Sequence, residues 1–582
     1  MSAVVSSVRS RRRAVPLLAA LLAPGLPPPA LGEDPPWLTR GRKGMVASDS
    51  AEASQIGADV LKAGGNAFDA AIATSLALAV ARPQSTGLGG GGFLLAYVAH
   101  DESFVALDFR EVAPAAASTQ RYDAARRRNP DGPSPSVYGG DPLAVPGQVA
   151  GLAEISRRFG TRPWGELVRP AAELARRGFT VDGALLEARD ELLKDVARWP
   201  ELGQRYAGLL DWLSPGGSAP RVGERLKNPD LARGLLLLAE MGPGAFYDGP
   251  LAEAVVRATA AAGGPLTADD LRQYRVRYRE PIRFSYAGCE VVTMPPPSSG
   301  GVCLAEACNI LAAARHEGVD GRHDAAHLLL EALKHAFADR ARYLGDADFA
   351  DVPVQRLTSR DHAEALARTI RRERTQAPER YGPAAPASGP AASQPDDRGT
   401  SHLCVVDRWG NVVALTETIN GTFGSLVTAE PFGIVLNNQM DDFVTRPGAP
   451  NLFGLAHGEA NVVAPGKRPL SSMSPTIVLR DGRPVLALGA AGGPRIITAV
   501  LQVMLATLDG APLEQALAAP RLHHQWQPDL VFHDVPLPDD LRLDLERRGH
   551  RFSPERRTAA VNAIMLLPDG TLLGASDPRR FG

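Results

Sequence analysis

The junction at Gly399-Thr400 constrains this chain most, because a tract unable to form a core stops there at the first residue of a core strand. From Gln376 to Arg398 the sequence is rich in Pro, Ala, Ser and Gln and carries little that could be buried. Thr400-Ser401-His402-Leu403-Cys404-Val405-Val406 then reads as a strand, Asp407-Arg408-Trp409-Gly410-Asn411 as a tight turn, and Val412 to Thr418 as the returning strand. Two readings fit. The plain one is a surface loop entering a hairpin. The other is a cut between Gly399 and Thr400, which would leave Thr400 with a free α-amine beside its own hydroxyl and so make it a competent nucleophile. The local residues leave both open.

Longer blocks carry a resemblance. Gly399-Thr400-Ser401-His402, the run Thr418-Ile419-Asn420-Gly421-Thr422-Phe423-Gly424, the block Gly433 to Phe443 and the block Lys467 to Thr476 resemble the small subunit of a γ-glutamyltransferase. Similarity runs from about Gly44 to Arg579, outside only the leader and the linker. The resemblance implies an N-terminal-nucleophile hydrolase made as one precursor that cleaves itself. After a leader over 1–32, it implies a large subunit over 33–399 whose residues 376–399 form a variable linker, and a small subunit over 400–582. Both subunits would share one intertwined α+β domain, an αββα sandwich of two stacked antiparallel sheets between helical layers.

Bulk properties exclude several classes. A net charge of -2 gives no reason to expect nucleic acid or an anionic membrane as partner. Cys289, Cys303, Cys308 and Cys404 show neither metal-ligand spacing nor a disulfide framework, so buried thiols are expected. At the N-terminus, Arg9, Arg11, Arg12 and Arg13 precede a short apolar run, Ala14 to Ala23, and then Pro27-Pro28-Pro29-Ala30-Leu31-Gly32. That is the layout of a cleaved export signal, too short for a stable anchor, and it predicts a periplasmic or secreted bacterial protein. The alternative is a basic tail on a cytoplasmic protein.

Along the chain, Asp49 with Glu52 predicts a capped helix through Leu61, and Asn66 with Asp69 a second helix buried nearly all round by its alanines. Gly87 to Gly92 is not a phosphate loop, since a strand follows it instead of a helix. His327, Glu331 and His335 fall four residues apart on one helix and are read as surface residues without a metal. Asp481-Gly482 marks a hairpin between Thr476-Leu479 and Val485-Leu488.

The resemblance also assigns a site. It makes Thr400 the nucleophile and, through its freed amine, the base. Thr418 would hydrogen-bond the nucleophile's oxygen, and Gly492 and Gly493 would form the oxyanion hole. Arg110, Ser471 and Ser472 would meet a substrate α-carboxylate; Asn420, Gln439 and Asp442 its α-ammonium. No cofactor and no metal is called for. Substrates would be glutathione and related γ-glutamyl compounds, with water or an amino acid or dipeptide as acceptor. Phe453 stands in the lid loop where many bacterial relatives carry Tyr, so a hydroxyl contact to a neighbour such as Asn420 is lost. Two alternatives remain: an acylase of the same fold acting on glutaryl-β-lactams, and an exported binding protein that never matures.

Overall fold

A computed structural model describes residues 34–315, 321–382, 399–446, 448–556 and 559–580. The leader (1–32) and most of the linker (383–398) lie outside the described residues.

Two antiparallel sheets face each other. The first has six strands in the order Met45–Ser48, Thr400–Val406, Val412–Thr418, Gly91–Val98, Ser103–Phe109 and Arg277–Arg279. The second has seven, in the order Leu38–Gly41, Leu572–Ala575, Ala560–Leu566, Arg483–Ala491, Thr476–Arg480, Cys289–Thr293 and Ile282–Tyr286. Each therefore draws strands from both sides of Gly399-Thr400. Helices cover the outer faces: Ala51–Lys62, Ala67–Ala81 and Gln148–Phe159 over the first sheet, Gly300–Arg315 and Arg495–Leu508 over the second, while Trp164–Arg177 packs on the Ala67–Ala81 helix and Gly321–Tyr343 on Gly300–Arg315. The expected αββα sandwich is the fold.

Burial on both faces explains why the two central strands read as unbroken apolar runs. Cys404, Val406, Val412 and Ala414 pack between the sheets, whereas Leu403, Val405, Val413 and Leu415 pack under the helices. The Ala67–Ala81 helix is buried at every position and carries the expected capping box between Asn66 and Asp69. Its alanines let it lie close on the Thr400–Val406 strand.

Three expectations need correction. Ser50, not Asp49, caps the first helix, because Asp49 is engaged elsewhere: it accepts hydrogen bonds from Asn562 and from Arg580 Nη1 at 2.7 Å. The linker tract is not structureless from its start. Tyr381 is buried and its hydroxyl donates to Glu331 Oε2 at 2.6 Å, which ties Gln376 to Gly382 to the Gly321–Tyr343 helix. His327, Glu331 and His335 are buried, not surface residues, since that helix is covered on nearly all sides. The four cysteines are buried free thiols, as expected.

Candidate active site

The hairpin sets the site by register. Asp407 fixes its turn: one carboxylate oxygen accepts from the N–H groups of Trp409 and Asn411, the other from Asn411 Nδ2 and from the N–H of Ala67. From this turn the ladder runs back without a bulge, so Thr400 pairs with Thr418 and His402 with Thr416. Paired residues point to one face. Thr400 Oγ1 accordingly lies 3.0 Å from Thr418 Oγ1, and Thr418 Oγ1 accepts from the N–H of Asn420 at 2.8 Å.

The bond between Gly399 and Thr400 is held at the same point. The Gly399 carbonyl oxygen accepts from Thr418 Oγ1 and from the N–H of Ile419 at 3.3 Å. Two donors on one carbonyl oxygen polarise it toward attack. A side chain at 399 would collide with the main chain, as a Cβ there would sit 1.7 Å from the Asn420 carbonyl oxygen. Gly89 and Gly90 permit a similar approach on the other flank, where a Cβ on Gly90 would lie 2.1 Å from the Thr418 carbonyl oxygen. These contacts, and not a ligand phosphate, account for that glycine run.

A pocket opens above the two threonines. Arg110, Asn420, Gln439, Asp442, Ser471, Ser472 and Gly493 line it with Thr400 and Thr418; Gly492 is adjacent but not part of the lining. Both glycines hold positive φ, +146° and +55°. They lead into the Arg495–Leu508 helix, whose N-terminal end borders the pocket and favours negative charge there.

Opposite Thr400 sits a buried charge pair. Arg110, delivered at the end of the Ser103–Phe109 strand, donates from Nη2 to Asp442 Oδ2 at 2.6 Å, and Gln439 Nε2 donates to the same oxygen at 2.8 Å. Burial raises the Asp442 carboxyl above the usual range against the opposing pull of Arg110. Glu111 lies behind, 3.5 Å from Arg110 Nη1, and burial pushes it up to about 7. Ser471 does act as a turn cap, its Oγ accepting from the N–H of Met473. That leaves its hydroxyl proton free to donate.

Sequence reasoning missed Arg340. It follows Ala326, Leu329, Leu333 and Phe337 on the helix's apolar stripe, where an arginine signals a buried cation. Its Nε donates to Ser299 Oγ at 2.9 Å and its Nη2 reaches Ser472 Oγ at 3.5 Å. Burial lowers its pKa to about 10. Among the described residues, Arg340 Nη1 and Gln439 Oε1 are buried without hydrogen-bond partners. Phe453 and Leu455 close one wall. Phe453 is held by its main chain, its carbonyl accepting from Gln525 Nε2 and its N–H bonding Asn451 Oδ1.

A threonine heading a central strand between two stacked sheets, with its hydroxyl facing a charged pocket, defines the N-terminal-nucleophile hydrolase class. The family model described as gamma-glutamyltranspeptidase matches residues 53–582. The glutathione hydrolase proenzyme of Escherichia coli (strain K12) is 42% identical over 573 residues, covering 96% of this chain and 95% of the relative. The acylase ACY 1 proenzyme of Pseudomonas sp. (strain SE83) is 38% identical over 555 residues, covering 93% of each. Among solved structures, cephalosporin acylase from Bacillus halodurans superposes with a TM-score of 0.80 at 29% identity, covering 96% of this chain and 98% of that one. This chain belongs to the γ-glutamyltranspeptidase family.

Proposed function

We propose that the protein is a self-processing γ-glutamyltransferase that also hydrolyses glutathione. The observation that carries the reading is the pairing pattern of the pocket. A guanidinium and a carboxylate lie 2.6 Å apart, flanked by a buried donor and a buried acceptor without partners. An α-amino acid head group carries a carboxylate and an ammonium on one carbon and complements that pattern. A glutaryl group brings only the carboxylate.

In the precursor, Thr400 Oγ1 attacks the Gly399 carbonyl carbon while Thr418 and the Ile419 N–H hold its oxygen. Collapse breaks the peptide bond, moves the acyl group to Oγ1 and frees the Thr400 amine; water then releases Gly399 as a carboxylate. The products are a large chain ending at Gly399 and a small chain over 400–582. In turnover, the freed amine takes the Thr400 hydroxyl proton as Oγ1 attacks the γ-carbonyl, and the N–H groups at Gly492 and Gly493 receive the oxyanion. Such a donor is worth about 3 kcal/mol in the transition state. Protonated amine returns the proton to the leaving nitrogen, leaving a γ-glutamyl ester on Thr400. Water or an amino acid or dipeptide amine resolves it. Arg110, Arg340, Ser471 and Ser472 hold the α-carboxylate; Asn420, Gln439 and Asp442 the ammonium. No helix among the described residues is long and apolar enough to cross a membrane. The basic and apolar leader supports a periplasmic or secreted location.

The glutaryl-acylase reading stays in view because relatives of both kinds match. Asp442 alone gives no argument against it, because Arg110 pairs that carboxylate even without a substrate ammonium. Turnover of γ-glutamyl- and glutaryl-p-nitroanilide by the purified, cleaved protein tests the assignment. Faster γ-glutamyl release is expected; faster glutaryl release would make the protein an acylase.

A further inference from the structure

A second cluster lies away from the pocket, where three helices meet. Glu306 on Gly300–Arg315, Asp339 on Gly321–Tyr343 and His362 on Arg360–Ala367 each present one ligand atom within 4.8 Å of the others. Glu306 is completely buried, and neither of its carboxylate oxygens has a hydrogen-bond donor among the described residues. His362 Nε2 lies 2.7 Å from Asp339 Oδ2 and 3.9 Å from Glu306 Oε1. No Lys or Arg among the described residues forms an ion pair with either carboxylate, although Arg356 acts on Glu306 through space. One turn before Asp339, His335 is also buried, and its Nδ1 has no partner.

Two juxtaposed carboxylates with no Lys or Arg partner, and only His362 beside them, are costly in a protein interior. A proton shared between them, or a bound cation, resolves the conflict. Burial and the neighbouring Asp339 do raise Glu306 well above the ordinary range. A shared proton leaves the second Glu306 oxygen unserved, whereas a cation satisfies all three side chains at once. Tetrahedral zinc with ligands at about 2.0–2.2 Å places those ligand atoms roughly 3.3 Å apart. The 3.9 Å from His362 Nε2 to Glu306 Oε1 lies a little above that value, and the 2.7 Å to Asp339 Oδ2 is a hydrogen bond that an ion between the two would replace. The other close grouping, His327, Glu331 and His550, differs at its carboxylate: Glu331 accepts from Thr375 and Tyr381, whereas Glu306 has no such donor among the described residues.

We propose that Glu306, Asp339 and His362 form a divalent cation site with zinc preference, since one imidazole and two carboxylates suit that ion better than magnesium or calcium. Asp339 directly precedes Arg340, so an ion there clamps the helical turn that carries the pocket's second arginine. The ion's role is structural and requires no part in the chemistry at Thr400.

The test uses purified full-length protein stripped with a chelator and titrated with zinc chloride by calorimetry, with the thermal midpoint followed in parallel. Wild type should bind one equivalent and melt several degrees higher with zinc. Glu306→Gln and His362→Ala should each weaken that binding at least tenfold and abolish the shift. His362 is partly exposed, so its variant reports even where Glu306→Gln fails to fold. Cobalt(II) absorption provides a second readout, with a visible band in wild type and none in His362→Ala. Absent zinc binding in wild type would overturn the proposal, as would binding that both variants retain. So would a zinc-independent rise in stability on Glu306→Gln, which marks a shared proton.

Discussion

Arg110 holds Asp442, and under the proposed function it would also grip a substrate carboxylate. Lysine keeps the charge but loses the fork that reaches both. Arg110→Lys should therefore lower kcat/KM at least about tenfold, mainly through KM, in protein shown to be cleaved. Unchanged kinetics would remove Arg110 from substrate recognition. At Asp442, replacement by Asn removes one charge-assisted bond to an ammonium, worth roughly 1.5–3 kcal/mol. The rate on γ-glutamyl-p-nitroanilide should fall about one to two powers of ten, and because Arg110 is loosened too, the glutaryl rate can also shift. The ratio of the two kcat/KM values is thus the diagnostic. It should move toward glutaryl; a ratio equal to wild type's would mean that Asp442 does not read the amine. At this scale the sequence was informative where a block of neighbours recurs, as around Thr400, Asn420 and Ser471. Arg340 was not legible in that way, because it arrives alone on a helix and its meaning lies in what that helix faces.

Among the elements, the hairpin from Thr400 to Thr418 was readable because alternation, turn residues and length all agree. Its consequence, one threonine directly across from the other, follows from counting outward from the turn. Asp407 should then matter more than a turn residue usually does, since its carboxylate also accepts from the first N–H of the Ala67–Ala81 helix. Asp407→Ala leaves several buried donors unserved and should cost at least about 2 kcal/mol in denaturant unfolding. An unchanged midpoint would show that the turn holds its register without it. Caps proved less legible where side chains have distant partners. Ser50 takes the cap because Asp49 is drawn to Asn562 and Arg580, residues more than 500 positions away. Tyr381 likewise looked like part of a loose tract, and only the buried Glu331 gives it a place.

Across the whole molecule, burial on both faces of each sheet brings carboxyl groups inside. Desolvation raises Glu111, Glu417 and Asp441 each to about 7, from ordinary values of 4.5, 4.5 and 3.8. Between those ordinary values and about 7 the folded state holds protons that the unfolded chain has released, so stability falls as pH rises through this window. Buried His335, His402, His523 and His524, lowered to about 4, 3, 3 and 4, act in the opposite sense below pH 6.5. The carboxyl contribution is therefore read by difference, against Glu417→Gln, which keeps partners for Ser75 and Gln148. From about pH 5 to pH 8 the thermal midpoint of wild type should fall relative to the variant's. A pH dependence unaltered in that variant would show that Glu417 is ionised throughout.

The central claim is that this chain becomes active by freeing the amine of Thr400, and intact mass with N-terminal sequencing of the purified protein tests it most directly. Two noncovalently associated chains are expected, the smaller beginning at Thr400, and a single uncut chain for Thr400→Ala. An active wild-type protein that remains one chain, or whose small chain begins at any other residue, would contradict it.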